Sequence, residues 1–131
     1  MDCVFCRIVR GELPCYKVYE DEHCVAFLDI NPVSKGHLLV VPKVHATKIT
    51  ELSPQQLCSL LAAVQLLAKK IEEKLTQHYN IVINQGKLAG QEIEHLHIHL
   101  IPRYGQEQIF SWKTHKLTEE EAKEVLEKLK E

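Results

Sequence analysis

The chain has 131 residues, 45% hydrophobic and 26% charged, a balance that fits one folded domain and excludes a wholly disordered chain. Its formal net charge of −2 excludes a broad basic field for a nucleic-acid polymer, though not a local site for one nucleotide. No apolar run approaches the ~20 residues of a membrane span, and no basic stretch followed by an apolar one opens the sequence. A cytoplasmic setting is therefore expected, with the five cysteines as thiols or metal ligands rather than disulfides.

In chain order, residues 16–19 and 24–28 are rich in β-branched and aromatic side chains and flank Asp21-Glu22, which predicts a hairpin. Residues 31–36 read as a loop, and His37 to Val41 as a buried strand that Pro42 ends. Ser53, Pro54 and Gln56 form a helix start with a capping box. Leu57, Leu60, Leu61, Val64, Leu67, Ala68, Ile71 and Leu75 then recur at helical spacing and predict one apolar face. Residues 79–84 read as a strand and 85–91, with Gly86 and Gly90, as a loop. Leu96, Ile98 and Leu100 alternate with His95, His97 and His99, the period of a strand.

Thr118 with Glu121 starts a last helix through Ala122, Val125, Leu126 and Leu129. The expectation is a single domain over residues 1–131, with residues 105–131 as C-terminal tail and helix. Strands outnumber helices and follow one another directly. The expected class is α+β, an antiparallel β-sheet covered by one long helix, with a C-terminal helix.

On a strand His95, His97 and His99 share one face, ~7 Å apart in succession, while Leu96, Ile98 and Leu100 pack on the other. A merely solvated face predicts a mixture of polar types rather than three imidazoles. Two chemistries fit the spacing: a metal held by three histidines, or imidazole as nucleophile or general base. The neighbourhood adds Ala89-Gly90-Gln91, whose backbone N–H groups are expected to face an anion, and Asn84 and His37 as further donors. These suit a phosphoryl group attacked by nitrogen and stabilised by fixed donors.

The run His95-Leu96-His97-Ile98-His99-Leu100-Ile101 matches the histidine triad pattern. Phe27-Leu28-Asp29-Ile30, Gly36 to Lys43 and Ala89-Gly90-Gln91 stand in that family's order and spacing. Over residues 3 to 104 the chain resembles a bacterial or archaeal histidine triad (HIT) protein. The resemblance implies a nucleotide hydrolase or transferase acting at the α-phosphate through a nucleotidyl-histidine, on nucleoside phosphoramidates or dinucleoside polyphosphates. It implies His97 as nucleophile, with His99 and His37 near the phosphate and leaving group. Asn84, Gly90 and Gln91 fall beside the phosphate and ribose, and Asp29 on the ribose hydroxyls. Phe5, Ile8, Leu13, Phe27 and Ile30 fall on the walls of the base pocket, where core packing is the bland alternative. A purine nucleotide and a homodimer are the partners implied. One departure stands out: Glu92 occupies a position where the family often carries Ser or Thr. Gln91 could supply the missing donor.

Cys3-x-x-Cys6 has the gap of a structural zinc site and equally of a redox pair. Some members of the resembled family carry this pair and complete a tetrahedral site at the positions of His45 and His95. That set implies one structural zinc ion. Cys15, Cys24 and Cys58 read as small buried hydrophobes, His23 and His78 as exposed. Trp112, near His115, reads as a cap on a pocket or on a partner subunit, or as packing on its own domain. The rival functions are a nucleotide-binding or scaffold protein with little turnover, and a hydrolase with zinc on all three histidines.

Overall fold

A computed structural model of the protein describes residues 3–105 and 110–130. Of the expected tail and C-terminal helix, residues 106–109 and 131 lie outside the described residues, as do Met1 and Asp2 at the other end. The architecture is α+β. Strands β1 (Lys17–Glu20), β2 (Cys24–Leu28), β3 (Leu38–Pro42), β4 (Tyr79–Val82) and β5 (Ile98–Pro102) form one sheet in the order β1-β2-β3-β5-β4. Every neighbouring pair is antiparallel. Helices α1 (Val4–Val9), α2 (Pro54–Lys74) and α3 (Glu119–Leu129) complete the regular structure, with single turns at Ile49–Glu51 and Lys87–Ala89.

The period-two alternation sorts each strand between two faces. On one face Cys24, Ala26, Leu38, Val40, Ile98 and Leu100 pack against Leu60, Ala63, Val64, Leu67 and Ile71 of α2. On the other, Val25, Phe27, Leu39 and Val41 pack with Phe5 of α1. All five residues of β3 are buried, as a central strand covered on both sides requires.

The α2 start forms as expected. Ser53 Oγ accepts the Gln56 N–H, and the Gln56 side chain accepts the Ser53 N–H. The buried stripe of α2 is narrower than the leucine pattern suggests. Leu61 and Leu75 are exposed, because the sheet is met by the rows through Leu60, Ala63/Val64 and Leu67. Cys24 is buried as expected, Cys15 is half-buried, and Cys58 is exposed on α2. At α3, Thr118 caps by accepting the Glu121 N–H, and none of its residues is buried.

Two local features depart from expectation. The histidine strand starts only at Ile98, not at His95. The Leu96 N–H donates to the Ala46 carbonyl, so this stretch is tied to the loop after β3 before it enters the ladder. The N-terminal helix α1, unread from sequence, has six residues, too few to show a helical period. Cys3 caps it, its sulfur accepting the Cys6 N–H at 3.3 Å. Among the described residues no helix is long and apolar enough to cross a membrane.

Candidate active site

A cavity of about 790 Å³ opens on the α1 side of the sheet. Phe5, Ile8, Leu13, Phe27 and Ile30 wall one part of it, and Asp29, His37, Asn84, Gly90, His97 and His99 bring polar groups to it. Sequence-distant elements converge here. α1 supplies Phe5 and Ile8, β2 and its following loop supply Phe27 to Ile30, and β5 supplies His99.

Hydrogen bonds assign the state of each imidazole. His97 Nδ1 lies 2.7 Å from the His95 carbonyl, which can only accept, so Nδ1 carries the proton. The lone pair is then left on Nε2. The Phe5 ring meets His97 edge-on at 5.2 Å between centroids and holds its plane. His37 Nδ1 accepts the Val33 N–H at 3.0 Å, which leaves its proton on Nε2. That Nε2 donates to His99 Nδ1 at 2.9 Å and lies 3.5 Å from Asp29 Oδ2. His99 is thereby fixed with its own proton on Nε2.

Burial keeps His37 and His99 neutral. It pushes His99 down to about 4, helped by the neighbouring His97 and His37, against a smaller pull from Asp29. Burial likewise lowers His37, with Asp29 opposing.

The turn before the histidines behaves differently from expectation. The N–H groups of Ala89, Gly90 and Gln91 donate to Gly86 and Lys87 carbonyls within the turn, and so do not face an anion. Gln91 is buried and does not line the cavity. Its side chain accepts the Gly86 N–H and donates to the Thr47 and Ile93 carbonyls, which fixes the loop. Gly90 has φ +98 and lies against Asn84, a hypothetical Cβ standing 3.8 Å from the amide. A side chain there would be strained by the positive φ, although the contact itself is an ordinary one.

Behind His97 lies a second cluster. His95 is fully buried, and its Nε2 donates to the Pro42 carbonyl at 2.9 Å. The Nδ1 lone pair faces two sulfurs, Cys3 Sγ at 3.3 Å and Cys6 Sγ at 3.5 Å. Cys6 Sγ also lies 3.2 Å from His45 Nδ1. The four ligand atoms fall within 4.8 Å of one another. Tetrahedral zinc, with bonds of about 2.3 Å to sulfur and 2.0 Å to nitrogen, places neighbouring sulfur and nitrogen about 3.6 Å apart. The observed separations fit that donor set. Among the described residues no candidate metal cluster joins all three histidines.

The model of the HIT domain matches residues 10–106. The chain belongs to the HIT family. It is 40% identical over 131 residues to a Schizosaccharomyces pombe protein named adenosine 5′-monophosphoramidase, covering 98% of this chain and 96% of the relative. A Bacillus subtilis HIT structure superposes with TM-score 0.91 at 38% identity, covering 99% of this chain and 96% of that one. A zinc-bound histidine triad protein from Mycobacterium smegmatis superposes with TM-score 0.78 at 36% identity, covering 99% and 96% respectively.

Set on the HIT fold, the sequence-derived residues divide cleanly. His37, His97, His99, Asp29, Asn84, Gly90 and the five apolar residues meet at the cavity. Cys3, Cys6, His45 and His95 meet at the second cluster, and Gln91 stands behind the loop. Sequence reasoning missed the backbone partners that set the tautomers, the Pro42 and His95 carbonyls and the Val33 N–H, since any residue type supplies them. It also missed Phe110, which lines the cavity beneath the Arg103 guanidinium at 4.9 Å. Trp112 lines the same cavity and is 82% exposed. His23 and His78 are exposed.

Proposed function

We propose that this HIT protein hydrolyses or transfers nucleotides at the α-phosphate, with His97 as nucleophile and a nucleoside phosphoramidate or dinucleoside polyphosphate as substrate. The observation that carries the reading is the bond from His97 Nδ1–H to the His95 carbonyl, which leaves the Nε2 lone pair at a cavity wall. The S. pombe relative's name supports the phosphoramidate arm.

In the first step Nε2 forms a bond to phosphorus and the bond to the leaving group breaks. The leaving atom takes that electron pair and a proton from solvent. Water then attacks phosphorus, losing a proton to solvent, and the P–Nε2 pair returns to the ring. His99 and His37 hold one another in fixed tautomers beside the phosphate, and Asn84 offers its amide. Asp29, whose Oδ1 accepts the Asn31 N–H, presents its other oxygen for ribose hydroxyls. The apolar wall takes the base, a purine by family analogy. Homodimeric assembly and a cytoplasmic setting belong to the same reading.

Cys3, Cys6, His45 and His95 would hold zinc. Four protein ligands leave no position for water, so the ion would supply structural closure, tying α1 to the segment that ends in His97. Support comes from the donor set, the S···N spacing and the zinc-bound M. smegmatis relative.

Rapid quench of wild-type protein with an adenosine phosphoramidate, followed by peptide mass spectrometry, tests the mechanism. A nucleotidyl adduct on the peptide holding His97 is expected. Turnover without any adduct, or an adduct on another residue, would remove His97 from the role.

A further inference from the structure

The cavity carries an asymmetry of charge. Among the described residues its lining includes two carboxylates, Asp29 and Glu92, and neither a lysine nor an arginine. Asp29 is engaged, by the Asn31 N–H and by its approach to His37. Glu92 is exposed and has neither hydrogen bond nor ion pair among the described residues. It sits in the short segment from Gly90 to Ile93, which borders the cavity on the chain leading into His97.

In-line displacement sends the leaving group away from the attacking nitrogen. A dinucleoside polyphosphate would place several negative charges in that space, where no lysine or arginine stands among the described lining residues. Sites that handle polyphosphate leaving groups use Lys, Arg or a divalent ion for this purpose. An amine leaving group brings no such charge, and one with an ammonium at its far end would meet Glu92 favourably.

We infer that Glu92 sets leaving-group specificity, making the site select nucleoside phosphoramidates whose amine carries a second, positively charged group. The inference rests on the hydrolase reading above and narrows its substrate class. Glu92 acts through charge at the mouth of the site and takes no part in bond making. In each turnover the chemistry is the same: the P–N bond breaks, its electron pair leaves on the amine nitrogen, and that nitrogen takes a proton from solvent.

Three adenosine 5′-phosphoramidates test it, made from 1,3-diaminopropane, n-butylamine and 4-aminobutyrate. They share the P–N bond and the spacer and end in ammonium, methyl and carboxylate. For wild-type protein kcat/KM should fall in that order, by roughly fivefold per step, the scale of one partly screened charge pair. Raising salt should compress the series. Glu92→Gln should flatten it, and Glu92→Asp should restore most of it.

Equal rates for the three tails in wild type would overturn the inference while leaving the hydrolase reading intact. A graded series that Glu92→Gln leaves unchanged would overturn the role of Glu92. Hydrolysis of a dinucleoside polyphosphate faster than the ammonium-tailed substrate would overturn the substrate class. Absence of turnover on all three would sink the hydrolase reading, and the inference with it.

Discussion

On the α2 face of the sheet, the buried cluster is apolar throughout, from Cys24 and Ala26 through Leu67 to Leu100. On the α1 face, Val25, Phe27, Leu39 and Val41 form a smaller apolar cluster, and beside it lie four imidazoles, His37, His95, His97 and His99, whose nitrogens are mostly committed to carbonyls, sulfurs or each other. The same β-strands feed both faces. Alternation along β5 sends Ile98 and Leu100 to α2 and leaves His99 on the cavity side. The contrast teaches a division of labour within one sheet: one face holds the fold by packing, and the other orients imidazoles by hydrogen bonds and holds His37, His95 and His99 neutral by burial.

Two substitutions should separate the faces most sharply. His97→Ala removes the proposed nucleophile and should lower turnover by more than about a thousandfold. Its thermal midpoint should move little compared with a core truncation. Leu67→Ala, at a position 1% exposed, should show the reverse. Stability falls by about 2–5 kcal/mol through lost burial and a cavity, and kcat per folded molecule stays within roughly twofold, since additivity holds for distant sites. Urea unfolding and active-site-normalised kinetics on both proteins measure it. A large loss of kcat in Leu67→Ala would mean the faces are coupled.

The next effect lies at the border. Cys6→Ser should lose bound zinc in metal analysis, whereas His97→Ala keeps it. The His95 carbonyl that orients His97 belongs to the residue the metal would grip. Loss of the ion should therefore lower kcat roughly tenfold, the usual scale for a supporting ligand. Full zinc content in Cys6→Ser would remove that thiol from the site.

Acid should then discriminate between the faces. An unfolded His99 takes its proton near the ordinary 6.5, whereas the folded residue resists until about 4. Between those values the unfolded state binds more protons, so stability falls as pH drops from about 6.5 toward 4 and is flat above. About 2 kcal/mol is expected from this residue after discounting for partial exposure. His37, lowered by the same cause, adds to it. His99→Gln should reduce the slope between pH 4 and 6.5 in urea titrations, while Leu67→Ala lowers the curve without changing its shape. An unchanged slope in His99→Gln would place the acid sensitivity elsewhere.

Legibility followed the same division. The α2 face was readable because packing against a sheet imposes periods that residues such as Leu60, Val64, Leu67 and Ile71 display directly. Its edges were not, since Leu61 and Leu75 are apolar yet outward, and only the helix's rotation on the sheet decides that. The site residues were readable as chemical types and as a family pattern. Their individual duties were less so. His95, His97 and His99 share a spacing, but the Pro42 carbonyl, the His95 carbonyl and His37 turn each ring to a different use. Backbone partners leave no mark in residue identity, which is also why the N–H groups around Gly90 were expected free and are found bonded within their turn.

The smallest effect tests the division at its mildest. Ser53 and Gln56 exchange hydrogen bonds at the start of α2, far in sequence from every cavity residue. Ser53→Ala leaves the Gln56 N–H without its cap and should cost about 1 kcal/mol of stability. The helix body keeps Leu60 to Ile71 on the sheet, so the strands beneath should not shift. Turnover and the acid dependence should match wild type, with only the urea midpoint lowered. If Ser53→Ala instead changed kcat, fraying of the first α2 turn would have to reach the cavity across the sheet. The turn Ile49–Glu51 offers a route among the described residues. The Ile49 N–H donates to the Gln85 side chain at 2.7 Å, and Gln85 adjoins Asn84. Combining Ser53→Ala with Gln85→Ala decides the matter: additive losses of stability with unchanged kcat keep the faces independent, and a shared loss of kcat joins them through Asn84.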